Sequence, residues 1–225
     1  MSPLVSVIAP VLNEAAALPG VLDHLAALDG DLEVIVADGG SRDGTVGIAR
    51  EHLVGAHVVE TEGGRARQSN AAAAVARGEV LVFLHADSRL PRDAHASLVR
   101  ANARGGNFRI HFDGDDRFSR ILGGWYAFQR RLGVYYGDSA IWARADVYRE
   151  LGGMRLLPIM DDYDFVRRLE KGGDTACLPG PVVTSARRWR ALGIPRTILS
   201  WWVIRALFVA GVRPERLARL YREVR

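Results

Sequence analysis

Residues 5–14 read VSVIAPVLNE, an apolar β-branched run that meets Pro10 and opens into Asn13 and Glu14. A run of Val and Ile with turn residues behind it specifies a short strand, Val5 to Ala9, and then a polar loop. The same unit recurs three times. Leu32 to Ala37 leads into Asp38, His57 to Glu60 into Glu62-Gly63-Gly64, and Val80 to Leu84 into His85-Ala86-Asp87. The stretches between them, Ala15 to Leu28, Thr45 to His52 and Arg65 to Arg77, carry helix formers. Alternation of this kind implies an α/β fold: a mostly parallel central sheet, right-handed crossovers, and helices on both faces. Ligands of such sheets gather beyond the carboxyl ends of the strands, where all four polar motifs fall.

Beyond Pro91 the alternation weakens. The pattern predicts helices over Asp93 to Arg104, Phe118 to Leu132, Ala145 to Leu151 and Asp162 to Lys171, and strands over Asn107 to Phe112, Ala140 to Ala143 and Val182 to Ser185. No repeat or low-complexity linker interrupts the 225 residues, and 48% hydrophobic content suffices for one substantial core. A single domain, 1–225, is therefore expected. Its parts are an alternating strand–helix half (1–91), a less regular half (92–193) and C-terminal helices (194–225).

The net charge of +4 sits late in the chain, since residues 187–225 hold ten Arg against two acidic residues. That bias fits an anionic partner such as a diphosphate or a membrane surface. It fits nucleic acid less well, because the Arg interleave with Trp, Leu, Ile and Val instead of forming a solvated block. The lone Cys177 makes neither an internal disulfide nor a zinc site. The first strand is too short and too interrupted by Pro10 for a signal peptide, so a cytoplasmic location is expected. Ile198 to Val212 is apolar for about 15 residues around Arg205, short of the roughly 20 that span a bilayer. Docking on the domain is the first expectation for it, a homodimer contact the second, and peripheral membrane contact the third.

In DGGSRDGT, residues 38–45, the glycines permit a tight turn, and Asp43 is placed to cap a helix beginning near Thr45. Asp38 has no capping duty and is expected to touch a base or ribose. Asp161, Asp162 and Asp164 either charge a helix N-terminus or include a proton acceptor. PVLNE after the first strand is not a GxGxxG turn, which excludes a dinucleotide oxidoreductase. The Gly-rich, Lys-containing loop of sugar nucleotidyltransferases is also absent.

Taken together, VSVIAPVLNE, DGGSRDGT, GGRARQSNAAAAVARGE (63–79), FLHADSRLP (83–91), GDSAIWARADVYRELGG (137–153), MDDYDFVRRL (160–169) and TSARRWRALG (184–193) resemble the family 2 glycosyltransferases of GT-A fold. The set looks closest to a small bacterial subgroup found in arsenosugar or selenium-related gene neighbourhoods, in which LHAD replaces the usual acidic triplet. The resemblance implies an inverting transferase that uses a nucleotide-sugar donor, a UDP-sugar, with a small or lipid-linked acceptor. A polyprenyl-phosphate sugar synthase and a nucleotide-binding module without transfer activity are the rival readings.

By the same resemblance, Pro10, Asn13, Glu14 and Ala86 line the nucleotide pocket, Asp38 contacts the base, and Arg65 and Asn70 lie beside the nucleotide. Arg67 and Asn70, three apart, share a helix face. Asp87 would hold Mg²⁺ or Mn²⁺ against the diphosphate. A hard cation needs only one or two carboxylates when phosphate oxygens complete its shell. His85 faces the same side as Asp87 in an extended segment, as a ligand, a packing group or a nucleotide hydrogen-bond partner. Asp162 would be the general base, with Asp161 orienting a sugar or an Arg. Arg187, Arg188 and Trp189 would close over the diphosphate, and Gly137 and Asp138 would border the acceptor. Trp125, Tyr126, Tyr135 and Tyr136 either stack on a sugar or belong to the core.

Overall fold

A computed structural model describes residues 3–114, 117–186 and 193–221. Eight strands form one sheet: β1 (Val5–Val11), β2 (Leu32–Asp38), β3 (His57–Glu60), β4 (Val80–Phe83), β5 (Ser88–Arg89), β6 (Gly105–Phe112), β7 (Trp142–Arg144) and β8 (Thr175–Thr184). Their order is β3-β2-β1-β4-β7-β6-β8-β5. The expected parallel half is present, with β1 beside β2 and β4 and β2 beside β3. The second half is mixed. β7 runs antiparallel between β4 and β6, β8 pairs parallel with β6, and β5 closes the far edge antiparallel to β8.

Among the described residues the α-helices are α1 (Leu18–Ala26), α2 (Thr45–Glu51), α3 (Arg65–Val75), α4 (Ala94–Arg100), α5 (Arg117–Arg131), α6 (Ala145–Glu150), α7 (Asp161–Lys171), α8 (Ile194–Val209) and α9 (Pro214–Leu220). Period-two alternation in the strands assigns the two cores. Val7, Val34, Val36, Val80 and Val82 pack against α1, α2 and α4, whereas Ile8, Ile35, Ala37, Leu81 and Phe83 pack against α3, α6 and α7. Both faces of the central strands are therefore dry.

Several boundaries differ from the sequence pattern for local reasons. α1 starts at Leu18 and not at Ala15, because Pro19 suits the first turn and Ala15-Ala16-Ala17 form a turn ahead of it. β8 begins at Thr175 instead of Val182. The Pro179-Gly180-Pro181 segment reads as a breaker but is absorbed by a register shift opposite Phe108 and Ile110. β6 begins two residues early, at Gly105. Gly106 there has a φ of 154°, and a Cβ would lie 1.8 Å from Ala176 O, so only glycine lets β8 approach.

The apolar stretch near the end forms most of α8, which docks on the fold as the first expectation held. Ile204, Trp201, Leu207 and Phe208 join Tyr136, Met160 and Tyr163 in a third cluster that α9 completes through Leu217. Among the described residues no helix is long and apolar enough to cross a membrane.

Candidate active site

The carboxyl ends of β1, β2 and β4 form one rim, because Val11 pairs with Asp38 and Ile8 with Phe83. The loops after β1 and β2 are clasped together. Asn13 N–H donates to Ser41 Oγ at 2.8 Å, Arg42 N–H to Asn13 Oδ1 at 2.9 Å, and Glu14 N–H to Thr45 Oγ1 at 3.0 Å. Asp43 does not sit at the helix cap itself, which is Gly44. Its Oδ1 accepts from Thr45 N–H, while its Oδ2 accepts from Ala15 N–H across the gap at 3.1 Å. The Thr45 hydroxyl, which also donates to Asp43, holds that carboxyl below its ordinary value. Asn13 takes a φ of 54° to make the clasp, a conformation Asn tolerates. The backbone wall on which Pro10, Asn13 and Glu14 stand is thus fixed by the protein's own bonds.

Asp38 is 1% exposed, and its Oδ2 accepts the N–H groups of Gly40 and Ser41 at 2.8 and 2.9 Å. Its Oδ1 is buried without a hydrogen-bond partner. A buried carboxylate oxygen left unpaired is costly, and sites that keep one have a use for it. Beneath it, Gln68 sends Nε2 to the carbonyls of Val11 and Ala37 at 2.7 and 2.8 Å, locking α3 under both strand ends. Sequence reasoning missed Gln68, since a lone Gln among small residues of a helix carries no signal until the strand ends are seen above it. Gly39 leaves the room for it, as a Cβ there would lie 2.8 Å from Gln68 Nε2.

Asn70, expected beside the nucleotide, bonds to the protein itself. Its Nδ2 donates to Met154 O at 2.8 Å, and its Oδ1 accepts from Tyr148 Oη at 2.6 Å and from Met154 N–H at 2.9 Å. These bonds make it a brace for the 152–154 turn. Arg65, at the start of α3, reaches Asp161 Oδ1 with Nη2 at 3.3 Å, and Arg67 is exposed.

The acidic pair opens α7. Met160 precedes it with a φ of 65°, and Ala140, just after the 3₁₀ turn Gly137–Ser139, has a φ of 49°. Three of the four positive-φ non-glycine residues among the described residues, Asn13, Ala140 and Met160, therefore belong to the loops of this rim, where strained backbone tends to mark function. Asp161 is buried, which raises its carboxyl above the ordinary range, and the Arg65 guanidinium offsets part of that rise. Asp162 accepts the Gly137 N–H on Oδ2 at 2.8 Å and the Tyr163 N–H on Oδ1 at 2.7 Å. Space at Gly137 is shared: a Cβ would lie 2.7 Å from His85 Nε2 and 3.3 Å from Asp162 Oδ2. Hence His85 from the loop after β4 and Asp162 from α7 meet around one glycine, a convergence that sequence spacing could not reveal. Asp138 accepts the Tyr126 hydroxyl at 2.6 Å, and burial with that carboxylate pushes the phenol well above its usual range.

Asp87 is exposed at the rim, and its carboxylate takes a hydrogen bond from Ser88 Oγ at 3.3 Å. Ala86 beside it is buried. Among the described residues no group of three His, Cys, Asp or Glu is arranged as a metal cage. A hard cation can be held by as little as one carboxylate when phosphate oxygens complete its shell, and Asp87 is the exposed carboxylate at this rim. Of the aromatic candidates, Tyr135 is fully buried and Tyr136 stacks on Tyr163 at 5.8 Å, so both serve packing. Trp125 packs near Phe128 and Tyr126 edge-on to Phe112. Arg187, Arg188 and Trp189 lie outside the described residues.

A mixed sheet of this order, with acidic residues at its strand ends, is the GT-A architecture of glycosyltransferases. The model of the family named Glycosyl transferase family 2 matches residues 6–142, and the chain belongs to that family. The PGL/p-HBAD biosynthesis glycosyltransferase of Mycobacterium tuberculosis (strain ATCC 25177 / H37Ra) is 38% identical over 95 residues, 40% of this chain and 37% of the relative. The undecaprenyl-phosphate 4-deoxy-4-formamido-L-arabinose transferase of Aeromonas hydrophila subsp. hydrophila is 34% identical over 113 residues, 45% of this chain and 34% of the relative. The chain thus aligns with little more than a third of either relative. Two solved structures share the fold. S. aureus TarS 1-349 in complex with UDP-GlcNAc has a TM-score of 0.65 at 18% identity, over 80% of this chain and 58% of that one. The mannosyltransferase PcManGT from Pyrobaculum calidifontis, in complex with GDP-Man and Mn2+, has a TM-score of 0.65 at 24% identity, over 92% of this chain and 61% of that one.

Proposed function

We propose that this chain, acting as one domain, transfers a sugar from a nucleoside diphosphate donor, a UDP-sugar, to a hydroxyl of a small-molecule or lipid-linked acceptor with inversion at the anomeric carbon. The observation that carries the reading is the pairing of a buried, half-satisfied Asp38 on β2 with a backbone-oriented Asp162 on α7 at the same end of the sheet. Asp38 Oδ1 would accept an N–H from the base, and Pro10, Asn13, Glu14 and Ala86 would wall the nucleotide. The acceptor oxygen attacks the anomeric carbon from the face opposite the diphosphate. Asp162 takes the hydroxyl proton as the new C–O bond forms, and the nucleoside diphosphate leaves with the electron pair of the old one. Asp161 with Arg65, and Gly137 with Asp138, hold the acceptor side in place.

Asp87 fits Mg²⁺ or Mn²⁺ shared with the donor phosphates, and such an ion would neutralise charge on the leaving group. Arg187, Arg188 and Trp189 are assigned to the same diphosphate by their motif. The Mn2+ named with the Pyrobaculum enzyme and the donors named with both structural neighbours support this reading. The name of the Aeromonas relative favours a second reading of the acceptor, a polyprenyl phosphate. The cytoplasmic expectation is part of the same proposal.

The test is a panel of UDP- and GDP-sugars with Mg²⁺ or Mn²⁺, with and without chelator, scored by nucleoside diphosphate release. Asp162→Asn is expected to lower turnover at least a hundredfold, within the usual contribution of a general base, while nucleotide affinity stays unchanged. A wild-type chain that binds nucleotide but turns over no donor would assign it to binding alone.

A further inference from the structure

Helix α8 keeps one side against the fold and leaves the other bare. Leu199, Trp202, Val203 and Val209 are 65%, 48%, 46% and 54% exposed, and with Ala206 they recur at spacings of three and four that align them in one stripe. Neither α8 nor α5 contains an Asp or Glu. Arg205 lies over the Trp202 ring at 4.7 Å and donates from Nη1 to Gln129 Oε1 of α5 at 3.1 Å, which fixes a positive charge beside the stripe. Just beyond it, Arg213, Arg216 and Arg219 are exposed around α9, with Glu215 the one acid of that segment. On α5, which Arg205 ties to α8, Phe128 is exposed, as are Arg131 at its end and Leu132 just after it.

We propose that α8 and its flanking arginines form a docking face for an anionic phospholipid bilayer. A large apolar stripe with Trp at its middle and Arg at its margin matches the layered chemistry of a lipid surface, apolar chains beneath phosphate headgroups. A second copy of the chain is a poorer occupant, because a two-fold contact through the same patch sets arginines against arginines. The opposite side of α8 adds direction. Trp201 and Phe208 touch Tyr136 and Tyr163, which neighbour Gly137 and Asp162, so docking brings the acceptor side of the site close to the lipid. The proposal concerns surface contact and stands whether or not the sugar-transfer reading holds.

The 225-residue chain would be sedimented with phosphatidylcholine vesicles, with and without phosphatidylglycerol. Pelleting is expected with the anionic vesicles and is expected to fall as salt is added. Trp202→Glu abolishes it, and Arg213→Ala and Arg216→Ala each lower the partition constant about fivefold, the effect of about one kcal/mol per arginine near a charged membrane. These side chains are exposed, so melting by circular dichroism stays at the wild-type value. Protein that remains in the supernatant with phosphatidylglycerol vesicles at low salt overturns the proposal. So does a sedimentation-equilibrium dimer that Trp202→Glu converts to monomer, which would place a second copy on the stripe.

Discussion

Gly137 has no side chain, and two functional groups fill the space one would need. An alanine Cβ there would press His85 Nε2 at 2.7 Å and crowd Asp162 Oδ2 at 3.3 Å, although the backbone itself is not in a glycine-only conformation. The imidazole would turn away before the main chain moved. Gly137→Ala is therefore expected to cut kcat at least about tenfold, the effect of a misplaced reacting group, while nucleotide affinity by calorimetry stays as in the wild type. An equal loss of nucleotide binding would put His85 and Gly137 on the donor side instead. At this scale the sequence singled out candidate residues but not the partners that the fold gives them. Asp38 was visible as an acid without a capping duty, and Asp162 as either a charge at a helix start or a proton acceptor. Asn70 is bonded to Tyr148 and Met154, partners 78 and 84 positions away, which no local pattern encodes.

Among the elements, the packing of α3 against β1 and β2 is held at both ends by polar locks. Gln68 secures the upper end. At the lower end Glu33, nearly buried, accepts from Ser6 Oγ at 2.5 Å, from Arg77 N–H at 2.8 Å and from Arg77 Nε at 2.7 Å. Burial alone would raise the Glu33 carboxyl, but these donors outweigh it and hold the group below its ordinary value of 4.5. The native state thus binds this proton more weakly than the unfolded chain does. The stabilisation is fully present above about pH 4.5 and is lost as pH falls through the lowered native value. Glu33→Gln is expected to cost about 2 kcal/mol at neutral pH in chemical denaturation. It should also flatten the loss of stability below pH 4.5. A variant with the wild-type acid profile would remove Glu33 as the cause. Strand alternation made the parallel half legible, because each strand buries both faces and reads as an unbroken apolar run. β8 was not, since its pairing with β6 depends on accommodating Pro179 and Pro181, which local propensity reads as an end.

For the molecule as a whole, the C-terminal helices are coupled to the site through one aromatic cluster. Trp201 meets Tyr136 at 5.6 Å and Tyr221 at 5.3 Å, joining α8 to the turn before Gly137 and to the residue after α9. Trp201 is partly exposed, so Trp201→Ala is expected to cost about 2 kcal/mol, below the range for a fully buried aromatic. Because the wall near Asn13 and Asp43, which we assign to the nucleotide, is clasped by its own bonds, donor KM should hold while acceptor KM rises severalfold. A rise in donor KM of the same size would show that the two halves do not respond separately. Composition located the basic bias at this end of the chain, ten Arg against two acidic residues over 187–225. Which side of α8 would pack could not be read there, because apolar residues surround Arg205 on most sides of Ile198 to Val212.

The strand order leaves β3 and β5 at the two ends of the sheet. β3 is four residues long and carries Glu60 in an ion pair with Arg50, and β5 is a two-residue bridge whose outward Arg89 is exposed. β5 covers only Val183 and Thr184 of β8, and along the rest of that edge Pro179 and Pro181 lack the N–H groups that a neighbouring chain would zip onto. The consequence concerns crowding: a protein of this kind can gather at high local density without its sheets joining end to end, so colloidal stability is secured at the very borders of the fold.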